Sequence, residues 1–242
     1  MILKIALENG IDHRSIAWAL DYPGCCADGP DASTAIVSMP QAFLIYCSWV
    51  GRHPGGSWLA DVGDFNVRLV ETQQNCFVNQ DMDVVAEDGP DSIEVEAFFR
   101  HDWKPLSAQE IQRGLLLFRW SRADLLAAVD GLTPAELDAT HPGERRSIRA
   151  VLGHVAHSEW WYLERLGLTA GQTFATLPPD PFEQLAGERV RLEEVFPGLA
   201  GSRQVSGVDG ELWSPRKLLR YALWHERDHV RHIYQLRFGQ TA

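Results

Sequence analysis

From about residue 107 onward the chain marks where helices begin and end, and that punctuation restricts its fold more than any other feature. Ser107-Ala-Gln-Glu110 and Thr133-Pro-Ala-Glu136 are capping boxes, in which a hydroxyl and a glutamate three residues on satisfy each other's free backbone N–H groups. Asp180-Pro181 and Ser214-Pro215 set a capping side chain ahead of a proline, whose missing N–H is harmless in a first turn. Stops follow at Gly131, Gly167, Pro197-Gly198 and Gly239. These signals predict four long helices at about 107–130, 147–167, 180–197 and 214–237, with a short helical turn near 134–139. In the first of them Ile111, Leu115, Phe118, Leu125 and Leu126 recur at helical spacing. Each helix has one face to bury, and modest loops join them, so residues 103–242 are expected to form an all-α four-helix bundle.

Two histidines sit four residues apart in the last helix, in Trp224-His225-Glu226-Arg227-Asp228-His229. That spacing stacks both imidazoles on one helical face, within reach of one ion. His225-Glu226-x-x-His229 also matches the zinc metallopeptidase pattern. Such enzymes take a third ligand from downstream, whereas the tail after His229 holds no carboxylate side chain, and its His232 continues the same helix. The third ligand is better sought in 146–166, where Ile148, Val151, Leu152, Val155, Tyr162, Leu163 and Leu166 form one stripe with His154 on its flank and His157 nearly opposite. Leu218, Leu219, Ala222, Ile233 and Leu236 form the matching face of the last helix, with His225 and His229 within it or at its edge. An imidazole facing a core needs a partner, since a buried polar group without one costs about 1–3 kcal/mol. One divalent cation held by His154, His225 and His229 would satisfy three at once; the alternative is a separate carbonyl or side chain for each. Glu226 and Glu159 are candidates to support the ligands, or else to pair with arginines such as Arg227 or Arg220; Asp228 and His232 lie nearby, and no catalytic residue is assigned.

The run Leu132-Thr-Pro-Ala-Glu-Leu137, the stretch Ser147-Ile-Arg-Ala-Val-Leu-Gly-His154-Val-Ala-His157-Ser-Glu-Trp-Trp-Tyr-Leu163 and the closing Trp213-Ser-Pro-Arg-Lys-Leu-Leu-Arg-Tyr-Ala-Leu-Trp-His225-Glu-Arg-Asp-His229 resemble the second and fourth helix regions of DinB-like proteins. The resemblance implies a four-helix bundle with a divalent metal on His154, His225 and His229, and thiol-dependent transferase or isomerase chemistry. The tryptophan that often precedes the Ser-Ile-Arg run in that family is replaced here by Arg145 and Arg146.

Ahead of the bundle the period changes. Ile2–Leu7 and Ser15–Asp21 read as strands, 22–29 as turn-rich, Ala32–Val50 as a helix, and 66–71 and 92–99 as further strands. Residues 1–102 thus form a small α+β domain. Trp18-Ala-Leu-Asp-Tyr-Pro-Gly-Cys-Cys-Ala-Asp-Gly29 is similar to the opening of HicB-like domains, which implies an antitoxin-type fold and a protein partner.

This first part holds 5 of the 22 Lys and Arg and 16 of the 33 Asp and Glu, so the whole net charge of −11 resides in it. An acidic module repels phosphate backbones, so no nucleic acid is expected; a basic protein partner fits the sign, and solubility alone would also account for it. No apolar run is counted as approaching the roughly 20 residues a bilayer span needs, and no signal sequence is read, so the expected location is the cytoplasm with no membrane partner. Cys25, Cys26, Cys47 and Cys76 lack metal-ligand spacing and are read as reduced structural thiols. Aromatic faces such as Trp160, Trp161 and Tyr162 suggest packing or pocket lining, and allow a homodimer.

Three neutral imidazoles leave positions open on a divalent ion, as in reactive rather than closed sites. The DinB-like resemblance, taken with that open site, implies a metal-dependent enzyme using zinc or nickel, activating a low-molecular-weight thiol or water toward a small electrophilic substrate. Two alternatives stand beside it: a non-catalytic interaction protein with a structural metal, and a metallopeptidase.

Overall fold

The computed structural model describes residues 1–11, 13–60, 62–85 and 92–239. The chain divides into two compact units, Met1–Lys104 with Val205–Lys217, and Pro105–Gln204 with the chain from Leu218.

In the first unit, β1 (Ile2–Ile11), β2 (Arg14–Ala19), β3 (Cys26–Gly29) and β4 (Asn66–Gln74) form a sheet in the order β3-β2-β1-β4. β1 and β2 are antiparallel, while β1 and β4 are parallel; a parallel pair needs a long connection, and α1 (Ala32–Gly51) lies within it. Asp31 caps α1 by accepting from the Thr34 N–H at 2.8 Å. Ala35, Met39, Phe43, Tyr46 and Val50 repeat at helical spacing and are buried, as are Leu3, Ile5, Ile16 and Trp18 of the sheet. The sequence reading counted no apolar run near the length of a membrane span, yet α1 is long and apolar enough for one, with a mean hydropathy of 1.2 over its most apolar window, a test that the core helix of a soluble protein also passes. Cys26–Gly29 corrects a second expectation: this turn-like stretch pairs antiparallel with β2, Trp18 opposite Cys26. Four residues with no alternation of apolar and polar side chains give no strand signal until their partner is known.

A second small sheet contains β5 (Cys76–Val78), β6 (Val84–Val85) and β7 (Ile93–Val95) in the order β6-β5-β7. The strand expected over 92–99 stops at Val95, because side chains claim the amides beyond it. Glu96 N–H donates to Glu211 at 2.6 Å, Ala97 to Glu8 at 2.8 Å, Phe98 to Gln73 at 3.0 Å, Phe99 to Asp102 at 2.9 Å and Arg100 to Glu71 at 3.0 Å. Five successive N–H groups are thereby satisfied without a neighbouring strand. Glu211 lies in the hairpin β8 (Ser206–Val208) and β9 (Glu211–Trp213), joined by Asp209 and Gly210 at φ 51° and 80°. Its hydrogen bond to Glu96 ties this hairpin to the first unit, although the sequence reading puts all of 103–242 in one domain.

The second unit carries α2 (Ala108–Val129), α3 (Pro134–Asp138), α4 (Ile148–Glu164), α5 (Pro181–Val195) and most of α6 (Pro215–Phe238). Both capping boxes form: Glu110 N–H donates to the Ser107 hydroxyl oxygen and Glu110 accepts from Ser107 N–H at 2.8 Å, and Thr133 and Glu136 do the same. Asp180 accepts from Phe182 and Glu183, and Ser147, unread as a cap in the sequence, begins α4. Gly131, Gly167 and Gly239 end their helices at φ 74°, 69° and 78°, a conformation that favours glycine. Leu125, Val151, Leu152, Leu185 and Ile233, drawn from α2, α4, α5 and α6, share one buried cluster. Leu126, expected on the apolar stripe, is 43% exposed, and Leu117 is buried instead.

Candidate metal centre

His154 projects from α4 between two buried turns, those of Val151–Leu152 and Val155–Ala156, so the helix that packs the core also fixes its imidazole. His225 and His229 come from consecutive turns of α6. His225 Nε2 lies 3.1 Å from His154 Nε2 and 3.2 Å from His229 Nε2. Two nitrogens bound to zinc at about 2.0–2.1 Å and a tetrahedral angle stand roughly 3.3 Å apart. The rings meet edge to face, with interplanar angles of 69°, 79° and 90°.

A ring nitrogen has one hydrogen-bonding position, filled by either a proton or a lone pair. His225 Nε2 therefore cannot donate to one neighbour and accept from the other, and between neutral rings its two short contacts can share only a single three-centre bond. A cation at the convergence point turns every contact into a ligand bond, so the donor set fits a metal. Burial, with the charges of Arg146 and His157 added, lowers His154 to about 4. Burial likewise holds His225 well below the usual imidazole range, reinforced by His229, His154 and Arg146. Both rings are neutral at pH 7, the form that binds a metal. All three histidines are half-buried, and their ligand atoms lie within 4.8 Å of one another.

His157, also on α4, points away from this group. Its ring stacks on Trp160 at 5.7 Å and lies 4.1 Å from Phe174. His232 bonds Glu144 at 3.0 Å, and its ring is 5.9 Å from that of His229. Tyr162 and Trp224 set their rings 6.0 and 6.2 Å from His225. Asp228 pairs with Arg231 at 2.6 Å.

Glu159 and Glu226 spend their hydrogen bonds on Arg122 and Arg189 rather than on a histidine or on the expected Arg220 and Arg227. Arg122 reaches Glu226 at 2.5 Å and Glu159 at 2.6 Å, and Arg189 reaches Glu159 at 2.8 Å and Glu226 at 2.9 Å. The third position of each guanidinium donates to a backbone carbonyl, Leu185 for Arg122 and Phe118 for Arg189. All four residues are buried. Burial alone would raise the Glu226 carboxyl; the charges and hydrogen bonds of Arg189 and Arg122 outweigh it and bring it below the usual range. With both oxygens occupied, Glu226 is not free to act as the general base that the peptidase reading requires. Sequence reasoning missed Arg122 and Arg189, since an arginine on a helix gives no sign of pointing inward. A cavity of about 10 Å³, room for roughly one water molecule, touches this ring, Tyr162 and His225.

Residues 117–233 match the DinB superfamily. That DinB match takes in His154, His225, His229 and all four members of the buried ring, in a superfamily associated with metals. Most of the first unit lies outside the DinB region. No curated protein and no solved structure matches the chain.

Proposed function

We propose that this protein is a metal-dependent enzyme of the DinB-like type, which joins a low-molecular-weight thiol, or water, to a small electrophilic molecule at a centre held by His154, His225 and His229. The observation that carries the reading is the convergence of three half-buried imidazoles whose ligand atoms lie within 4.8 Å of one another. A divalent cation there supplies Lewis acidity, which brings the pKa of a bound thiol or water toward neutrality. Zinc and nickel both suit three imidazoles. His154 and His225 remain neutral through the physiological range and do not compete for that proton. Tyr162 and Trp224 limit water around His225, and exposed Arg146 adds positive potential that favours an anionic reactant.

In thiol transfer the sulfur forms a bond to the electrophilic carbon, the leaving group departs with its electron pair, and the thiol proton passes to solvent. The helices of the second unit are proposed to form a four-helix bundle, and the first unit, with its β-β-β-α-β order, a HicB-like module that binds a basic protein partner. The acidic balance of that module favours the second reading, an interaction protein whose metal is structural. Zinc- or nickel-loaded protein, given glutathione with 1-chloro-2,4-dinitrobenzene and separately p-nitrophenyl acetate in water, tests the choice. The enzyme reading expects turnover above that of His225→Ala and of metal-free protein. Equal background rates in all three would favour the interaction protein.

A further inference from the structure

Four buried charges occupy the centre of the second unit, one from each long helix: Arg122 from α2, Glu159 from α4, Arg189 from α5 and Glu226 from α6. Their arrangement is not symmetric with respect to the histidines. Both carboxylates stand on the helices that carry imidazoles, and both arginines on the helices that carry none of the three. Glu159 and Glu226 repel each other and are joined only through the two guanidinium groups, each of which bonds both carboxylates. The backbone carbonyls of Leu185 and Phe118 fix the remaining guanidinium positions, so each arginine is anchored on an element besides the two it bridges.

Buried ion pairs of this kind are poor sources of stability, because desolvation offsets the attraction and well-packed apolar residues often serve as well. What they supply is geometry. An apolar interface tolerates sliding, whereas a shift of one residue along α6, about 1.5 Å, would break bonds of 2.5 and 2.9 Å to Glu226. Glu226 adjoins His225 in sequence, and the ring and His225 border the same small cavity.

We propose that the ring of Arg122, Glu226, Arg189 and Glu159 is the positioning device of the metal centre, holding α6 against α4 in the one register at which His225 and His229 meet His154. The inference rests on the three-histidine metal reading and adds that ligand geometry is set by a network whose own bonds join arginine, carboxylate and backbone groups. It separates stability from site geometry: a neutral, well-filled replacement keeps the fold and loses the site.

The test loads the full chain with cobalt(II) and reads both affinity and the visible ligand-field spectrum, beside far-UV circular dichroism and thermal melting. The variants are Glu159→Gln, which keeps shape and removes one charge, and the double variant Arg122→Met with Glu159→Met, which leaves no charge unbalanced. The expected result is a folded double variant melting near or above the parent, with cobalt affinity at least tenfold weaker and a shifted spectrum; Glu159→Gln loses affinity in the same sense. Should Glu159→Gln fail to fold, the double variant decides alone. Should the double variant also fail to fold, the ring is needed for folding itself and the separation of stability from geometry is overturned. Unchanged affinity and spectrum in folded variants would also overturn the proposal while leaving the metal centre intact. No cobalt bound by the parent would overturn the metal centre itself, and this inference with it.

Discussion

At the scale of single residues, the second unit is decided by where charge is buried. Arg122 makes five-donor chemistry useful in a dry interior: one guanidinium satisfies two carboxylates and a carbonyl. Arg122→Ala is therefore expected to leave Glu159 and Glu226 short of charge and to cost about 3–5 kcal/mol, read as a fall in the urea midpoint. Glu8 plays a comparable role in the first unit, accepting from Trp18 Nε1 at 2.8 Å and from Ala97 N–H at 2.8 Å. Glu8→Gln keeps one acceptor and offers an amide NH₂ where the other stood. It is expected to destabilise by about 1–3 kcal/mol, and chemical denaturation followed by Trp fluorescence checks it. Neither role is legible in the sequence, where Glu8 reads as one more acidic residue of a charged domain and Arg122 as a polar position on a helix.

At the scale of elements, the helices show why some of the fold was readable. A capping box is a local event between residues three apart, so Ser107 with Glu110 and Thr133 with Glu136 mark α2 and α3 without reference to anything distant. Strands depend on partners, and β3 lacks any internal pattern. The β8–β9 hairpin did carry a signal, Asp209-Gly210 between Val208 and Glu211, which the helix periodicity on either side obscured. Helix α5 holds a testable electrostatic feature. Burial raises the Glu188 carboxyl, with the charge of Glu159 adding to the rise and that of Arg191 opposing it. A carboxyl raised on folding contributes stability below its unfolded value, near 4.5, and loses it as pH climbs through the folded value. Glu188→Gln is thus expected to gain stability relative to the parent at pH 8, with the gain shrinking toward pH 4. Thermal melts across that range would show it, and a gain growing toward acid would contradict the assignment.

At the scale of the whole molecule, two differently built units share one chain. The positions of His154, His225 and His229 followed from sequence because helical spacing alone puts an i,i+4 pair and a flank residue on packing faces. Their approach to 3.1 and 3.2 Å did not, since it depends on how α4 and α6 meet. Charge was legible as a total and not in its use: Glu8, Glu71, Asp102 and Glu211 of the first unit serve as acceptors for backbone N–H groups within 96–100. The claim on which the account stands is that the three histidines hold one metal ion. Elemental mass spectrometry of tag-free protein, beside His225→Ala, tests it most directly. About one equivalent of a divalent transition metal in the parent and almost none in the variant is the expected result; a parent that holds no metal after reconstitution, or a variant that keeps it, would contradict the account.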